Sequence, residues 1–569
     1  MTRLLDSTLL KKEALMVLLL HCACLCVVGQ SNPSTPFWHR ICELELNNPS
    51  HDYSKDISLT MPMPSCAYVN ITGATRMPEY KGDEQHCWME VYDGAGNYFR
   101  KRIIMDAQGN SSLSFPKKNV KVDFCEDEWV GDITTSITIG DWVEQDGFHL
   151  KAYYADYFRG VAVTGYKLYQ QMTDDVGRAW TRSGGLAKNE PKALCHPDGF
   201  PCVVYLDGNF YGIYSWQLKK HRANMAQRKG DARHVHLDGK LSDETFWNGN
   251  IDWTAFEVRN PKEVTEETRQ YIQSLSHVCG DLQRMKMEGC GETELRDEFS
   301  RRFDVQSLID YACLHYLTAN YDGFAKNWQW FTYDGTKWFV TPYDLDCTFG
   351  NVHTGDVLMP ADQTGLDPYW VLYTGGPMLW LSRYYMDDIK ERYCQLREDG
   401  VIGKESLKGF ARDWYERVGE RNYAEEWMRW KDSKCIREPE YAWCWKPVDE
   451  WVNYHKLPYW DSSVMYKAGD VCRLDMCEWV ATMANLGMKP YIRLGYVDSM
   501  ERLEEWIDKR FKLIDSYLGY VEDVGVEDSP MEDIHPSTTL GIYDLQGRKV
   551  TTPQKNRLYI KNGRKFVGN

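Results

Sequence analysis

Asp322 and Asn327 stand five residues apart, and Asp344 follows them in the run Pro342-Tyr343-Asp344-Leu345-Asp346. Carboxylates and a side-chain amide in this order can assemble a site of hard oxygen donors, the kind that holds Mg²⁺ or Mn²⁺ carrying phosphates. The chemistry such a site serves is phosphoryl transfer. In it Asp322 would orient or deprotonate an attacking hydroxyl, Asn327 and Asp344 would hold the metal on ATP, and Asp346 offers a second carboxylate. Plainer uses exist for the same residues: Asp322 could cap a helix, and Asp344 or Asp346 could stabilise a turn.

The elements that must position them can be read from periodicity. Val305, Leu308, Ile309, Ala312, Cys313, Tyr316 and Leu317 recur at helical spacing, which predicts a helix over roughly residues 304–319 with one buried face. Asp322 falls just past its end. Two aromatic-rich runs, 328–333 and 336–341, flank Asp334-Gly335, a strong hairpin signal. A two-residue turn there places Asn327 opposite Pro342, with Asp344 two residues, about 7 Å, further along the strand. Protein kinases use the same succession of parts: a catalytic Asp, a metal-binding Asn five residues on, a short hairpin and a second metal-binding Asp.

Other segments extend the pattern. They are Gly109-Asn110-Ser111-Ser112 with Pro116-Lys117-Lys118-Asn119-Val120-Lys121, Leu150-Lys151-Ala152-Tyr153-Tyr154-Ala155-Asp156, Val203 to Tyr214, and Tyr343 to Gly350. Through these motifs, residues from about 95 to 350 resemble the spore coat protein H (CotH) family of secreted atypical protein kinases. The resemblance implies an α+β, two-lobed protein-kinase-like fold, ATP with Mg²⁺ or Mn²⁺ as cofactors, and a protein substrate carrying Ser or Thr hydroxyls. It places residues 109–121 in the nucleotide-binding lobe. Read as residues, Gly109, Asn110 and Ser111 can form a tight loop offering backbone N–H groups to phosphate. Lys118 or Lys121 on a strand can offer a point charge, with Lys118 the preferred contact. Lys151 and Asp156 flank a segment that continues into Val163, Tyr166, Leu168, Tyr169 and Met172, a helix expected beside the site.

Two departures from the family bear on activity. Asp106-Ala107-Gln108 stands where many members carry Arg-Gly-Arg, and Ser215 to Arg222 replaces a stretch that often holds a glutamate. A catalytically inactive kinase-like protein serving surface binding or adhesion is therefore the competing reading.

Length and composition frame these sites. The chain has 569 residues, 43% hydrophobic and 14% aromatic, enough for a large core in two or more lobes. Its formal charge of −16 argues against nonspecific nucleic-acid binding. Residues 1–29 read as a signal peptide, with Lys11 and Lys12 before an apolar run and small residues ahead of Gln30. No other run is long enough for a transmembrane segment in the mature chain. Of 18 cysteines, Cys22, Cys24 and Cys26 fall in the leader, leaving an odd number. In an exported protein this suggests disulfides plus a spare thiol, with Cys195/Cys202, Cys279/Cys290, Cys435/Cys444 and Cys472/Cys477 as near-neighbour pairs. His234 and His236 alternate as on a strand and read as packed or surface side chains.

The domain plan follows. Residues 30–220 are expected to form a β-rich N-terminal, nucleotide-binding lobe and 221–520 a helical C-terminal lobe containing the catalytic loop and hairpin at 320–350. Its last helix is marked by a capping box at Asp498 and Glu501 and by Leu503, Trp506, Ile507, Ile514 and Leu518 on one face. Within this lobe, residues 459–492, with Trp460, Tyr466 and Trp479, resemble a small chitin-type carbohydrate-binding module, which would make polysaccharide a partner. The same stretch could equally be a β insertion with buried tryptophans. Residues 521–540 are an acidic linker. Residues 541–569 resemble the C-terminal sorting domain of the bacterial type IX secretion system, which implies export through the periplasm to the outer cell surface or the medium.

Overall fold

The computed structural model describes residues 37, 40, 60–126 except 96, 134–174 except 157, 189–240 except 191, 246–320, 323, 326–352, 361, 376–430, 440–448, 457–493 except 475, 476 and 491, 499–522, and short strands between 542 and 567. The chain is mixed α and β. The described residues group into two compact units that meet between Tyr520 and Val521.

Seven strands close a barrel. They are β1 (Ala67–Thr72), β2 (Gln85–Tyr92), β3 (Tyr98–Gln108), β4 (Asn119–Cys125), β5 (Gly147–Lys151), β6 (Gly199–Leu206) and β7 (Asn209–Leu218), ordered β1-β2-β3-β4-β5-β7-β6. All neighbours are antiparallel except β1 and β6, whose parallel pairing of Ala67 with Cys202 through Ile71 with Leu206 shuts the ring. Side chains alternate across each strand, so Val69 and Ile71, Val120 and Val122, and Phe148 and Leu150 fill one buried cluster. The alternate residues His149 and Lys151 of β5, and Ile213, Ser215 and Gln217 of β7, take the outer face.

That face meets a second core. Helix α1 (Val161–Thr173) begins where the buried Asp156 carboxylate accepts the backbone N–H groups of Phe158 (2.8 Å) and Val161 (2.9 Å). Val163, Tyr166, Leu168, Tyr169 and Met172 all join the larger core, as the predicted helix required. A four-stranded antiparallel sheet follows, ordered β9-β8-β10-β11, from β8 (His236–Gly239), β9 (Phe256–Asn260), β10 (Trp328–Thr332) and β11 (Trp338–Pro342). His234 and His236 are both buried, and His236 Nε2 lies 2.9 Å from Gln329 Oε1.

Helices complete this core: α2 (Glu266–Met287), α3 (Glu292–Arg302), α4 (Val305–Thr318), α5 (Pro377–Tyr384), α6 (Met386–Glu398), α7 (Lys404–Val418), α8 (Glu420–Trp430) and α9 (Ser499–Leu518). The helix predicted over 304–319 is α4, started by Asp304, whose side chain accepts the Ser307 N–H at 2.9 Å. It is buried continuously from Ser307 to Thr318, not along one face, because α1, α6, α9 and β11 surround it. The expected apolar face of α9 is buried too, although Asp498 of the predicted capping box lies outside the described residues. No described helix is long and apolar enough to cross a membrane.

Several expectations are corrected here. Cys195, Cys202, Cys279, Cys290, Cys444 and Cys472 are free thiols, and Cys435 lies outside the described residues. Cys195 belongs to the larger core and Cys202 to the barrel core, so they do not meet. Cys279 is far back along α2 from Cys290, which follows the helix end; that spacing spans about 16 Å, beyond disulfide reach. Cys472 faces Trp479 across its strand pair, not Cys477. In the 459–492 segment, Tyr466 and Trp479 are 4% and 1% exposed and belong with Trp445 to the larger core, so neither is available to stack on a sugar ring. The second unit contains a four-stranded sheet ordered 549–550, 542–543, 558–561, 564–567.

Burial lowers the pKa of six described histidines: His221 and His236 fall to about 4, His315 to about 3, His149 well below its ordinary value, and His196 and His234 below theirs. Their folded pKa values lie below the unfolded one, so the unfolded chain takes up more protons as pH drops through 6.5 and stability falls towards pH 4. Asp156, raised by burial to about 6, and Asp304, also raised by burial, act the other way as pH falls towards 4, two groups against six. Thermal denaturation between pH 7 and 4.5 is expected to show a falling midpoint, and a flat profile would contradict this reading.

Candidate active site

The hairpin turn decides how the site closes. The loop runs from Tyr333 to Lys337, because Thr332 pairs with Trp338. The Asp334 carboxylate accepts the N–H groups of Thr336 (2.7 Å) and Lys337 (2.9 Å), while Thr332 Oγ1 accepts that of Gly335 (3.1 Å). These side-chain bonds favour a longer loop over the expected two-residue turn, so Trp328, not Asn327, faces Pro342. Asn327 instead meets Tyr343, whose N–H donates to the Asn327 carbonyl at 3.1 Å. Asp344 is thus one residue past the partner of Asn327, closer than the sequence suggested.

Both residues turn the chain sharply. Asn327 has φ +58° and Asp344 φ +56°, left-handed backbone that side-chain-bearing residues seldom adopt and that Asn and Asp tolerate best. Asp344 is fixed from both sides. Its N–H donates to Tyr166 Oη of α1 at 3.2 Å, and its Oδ1 accepts from Lys151 Nζ of β5 at 3.1 Å. Tyr166 Oη also accepts from Gln217 Nε2 of β7 (2.9 Å), and Gln217 Oε1 accepts from Tyr153 Oη (2.6 Å). His149 Nδ1 lies 2.8 Å from Tyr343 Oη. Lys151 is 1% exposed at its side chain and Asp344 27%, so the pair opens to solvent on the carboxylate side. Burial, then the charges of Asp344 and Asp346, pushes the phenols of Tyr153 and Tyr166 up, and both stay neutral hydrogen-bonding groups.

On the other strand, α4 ends at Ala319 with φ +50°. Asp322 lies outside the described residues. Beside it, the Gly323 carbonyl accepts a hydrogen bond from Tyr311 Oη of α4, and the Phe349 N–H donates to the Thr318 carbonyl at 2.9 Å. These bonds tie the two ends of the 319–349 region to α4.

The residues expected to face phosphate are spread more widely. Gly109 has φ +117°, and Ser111–Ser114 form a 3₁₀ turn. Asn110 Oδ1 accepts from Lys81 Nζ at 2.7 Å, and Ser112 Oγ accepts from Asn119 Nδ2 at 3.2 Å. Lys118 Nζ donates to the carbonyls of Leu113 and Phe115, each at 2.6 Å, so it closes this loop on itself. Lys121 is half-exposed and pairs with Asp123 Oδ2 at 2.5 Å. Of the predicted cations, Lys151 is the one brought to Asp344.

The neighbouring lysine was passed over in the sequence. Lys117 is buried, donates to the Ile213 carbonyl, and pairs with Glu426 Oε1 of α8 at 2.8 Å. Arg159 Nε meets the same oxygen at 2.9 Å, and Glu426 Oε2 accepts the Ile213 N–H at 2.9 Å. Burial would raise the Glu426 pKa, but Lys117 and Arg159 overcome it and hold the carboxylate below its ordinary value. A Cβ on Gly212 would lie 2.7 Å from both Glu426 Oε2 and Lys117 Cε, which is why glycine stands there. The Pro-Lys-Lys motif flagged Lys117 without saying which lysine turns inward, and nothing in the sequence marked Glu426.

The residues near one another here carry hard oxygen donors, the kind that divalent cations take. Asn327 and Asp344 approach through strand pairing, and Asp344 and Asp346 act on the same two phenols. Among the described residues no group of three or more His, Cys, Asp or Glu side chains is placed to hold a metal ion, so the amide and Asp322 would have to complete the set.

An asparagine before a short hairpin and a lysine-held aspartate after it stand in the order expected of a kinase-like protein. The chain belongs to the CotH kinase family: the family model described as CotH kinase protein matches residues 105–513. No curated protein matches the chain.

Replacing Glu426 with Ala would leave two buried cations without their carboxylate, at a cost of about 3–5 kcal/mol. Urea denaturation is expected to show that loss, and a change under about 1 kcal/mol would mean the triad is not the brace described.

Proposed function

We propose that this protein transfers the γ-phosphate of ATP to Ser or Thr hydroxyls of a protein substrate, using a two-lobed kinase-like architecture. The observation that carries the reading is the Lys151–Asp344 ion pair, set one residue beyond the partner of Asn327. Asn327 and Asp344, with Asp346, would hold Mg²⁺ or Mn²⁺, which when bound neutralises phosphate charge. Lys151 orients the Asp344 carboxylate and supplies a buried positive charge beside it. Asp322 accepts the proton of the substrate hydroxyl, which then attacks phosphorus as the bond to the ADP oxygen breaks. The Gly109-Asn110-Ser111 loop and Lys118 take part through backbone N–H groups and loop closure respectively, and Lys121 stays at the periphery. The signal sequence and the C-terminal tail support export by a bacterium to its surface or medium.

A second reading has an observation of its own. Lys118 and Lys121 are engaged by loop carbonyls and by Asp123, which favours a catalytically inactive kinase-like protein that serves surface binding or adhesion. One pair of variants separates the two. Mn²⁺-ATP is expected to raise the thermal midpoint of the wild type and not of Asp344→Ala, while Asp322→Ala keeps the shift and loses transfer of labelled phosphate to protein. Equal transfer by Asp322→Ala and wild type would refute the catalytic reading, and a wild type that shows neither a shift with Mn²⁺-ATP nor transfer would favour the surface-binding one.

A further inference from the structure

Two more cations, neither of them among the predicted site residues, lie near Tyr343. Lys220 follows β7, and Arg259 lies on β9. Both are gathered by Asp238 of β8, whose side chain is 2% exposed. Lys220 Nζ bonds Asp238 Oδ1, while Arg259 Nη2 and Nε bond Asp238 Oδ2 at 2.7 and 3.1 Å. Lys220 Nζ sits 4.1 Å from the centroid of the Tyr343 ring, and Lys151 Nζ lies 5.5 Å from the same centroid. The ring that precedes Asp344 is therefore flanked by two ammonium groups.

The arrangement leaves donor capacity unused. An ammonium carries three N–H donors, and among the described residues the hydrogen-bond partner of Lys220 is the single Asp238 oxygen, with the Tyr343 ring as its other contact. Its side chain is 12% exposed, so it is neither in bulk water nor fully satisfied within the protein. Charge points the same way. A divalent ion would cancel Asp344 and Asp346, and Glu257 is shared by Arg259 Nη1 at 2.9 Å and Lys240 at 3.2 Å. Lys151, Lys220, Arg259 and Lys240 would then face Asp238 and Glu257, four positive charges against two negative, a surplus that suits an anionic polyphosphate. His149, bonded to Tyr343, registers this field: burial first, then Lys151, Lys219, Arg259 and Lys220, keep it neutral.

We propose that Lys220, held by Asp238 and backed by Arg259, is a phosphate-binding residue that contacts an oxygen of the metal-bound ATP polyphosphate from the β8–β9 side of Asp344. The proposal rests on the phosphoryl-transfer reading.

Calorimetric titration with Mn²⁺-ATP and with Mn²⁺-tripolyphosphate tests it. Lys220→Gln is expected to weaken both by about tenfold or more, the loss of one charge-assisted hydrogen bond. Lys220→Arg should restore most of the affinity, and Lys240→Gln, on the far side of Glu257, should match wild type. Arg259→Gln, at a 30% exposed side chain, is the milder second variant and should weaken both ligands several-fold should Lys220→Gln fail to fold. Wild-type binding with unchanged affinity in folded Lys220→Gln, or in Arg259→Gln where that variant stands in, overturns this inference alone. A wild type that binds neither ligand overturns the phosphoryl-transfer reading and this inference with it.

Discussion

Glu426 carries its charge where there is no water, and much of the site hangs from that carboxylate. It ties together the segment before β4 through Lys117, the loop before α1 through Arg159, and β7 through the Ile213 N–H. A buried carboxylate is tolerated only when its lone pairs are filled, and here two cations and one amide fill them. Arg159 passes the constraint on. Its Nη1 donates to the carbonyls of Tyr153 (3.1 Å), Tyr154 (2.7 Å) and Asp156 (2.5 Å), fixing the turn that leads from β5 into α1. Tyr153 then holds Gln217, Gln217 holds Tyr166, and Tyr166 holds the Asp344 backbone. The aspartate is thus positioned by an unbroken run of hydrogen bonds that starts on α8.

That run explains how strained backbone persists at the site. Left-handed conformation costs a side-chain-bearing residue about 1–2 kcal/mol, and Asn327 and Asp344 both adopt it. Strand pairing on one side and the Tyr166 and Lys151 bonds on the other leave Asp344 no relaxed alternative. The result is a carboxylate oxygen presented beside a buried ammonium, preorganised before any ligand arrives.

What the sequence made legible was local. Helix α4, the β10–β11 hairpin and the alternation of the barrel strands all announce themselves through periodicity. The hairpin register came out one residue different because Asp334 and Thr332 spend their side chains on loop N–H groups, a choice that the Asp-Gly signal alone does not reveal. Barrel closure was not legible, since it depends on parallel pairing of β1 with β6, segments some 135 residues apart. Glu426 was hidden for the same reason: it sits 309 residues from Lys117 on a helix of ordinary polar composition. Lys117 and Lys118 are adjacent just before β4, so strand alternation could not say which of them would be buried. Lys151 was legible as a candidate, but its contact with Asp344 required the fold.

The central claim is that Asn327 and Asp344 share a metal bearing nucleotide phosphates. Crystals grown or soaked with Mn²⁺ and a non-hydrolysable ATP analogue test it through the anomalous signal of manganese. The account predicts a peak within coordination distance of Asp344 and Asn327, with the phosphates on its open side. Nucleotide bound elsewhere, or a manganese peak that leaves both residues uncoordinated, would contradict it.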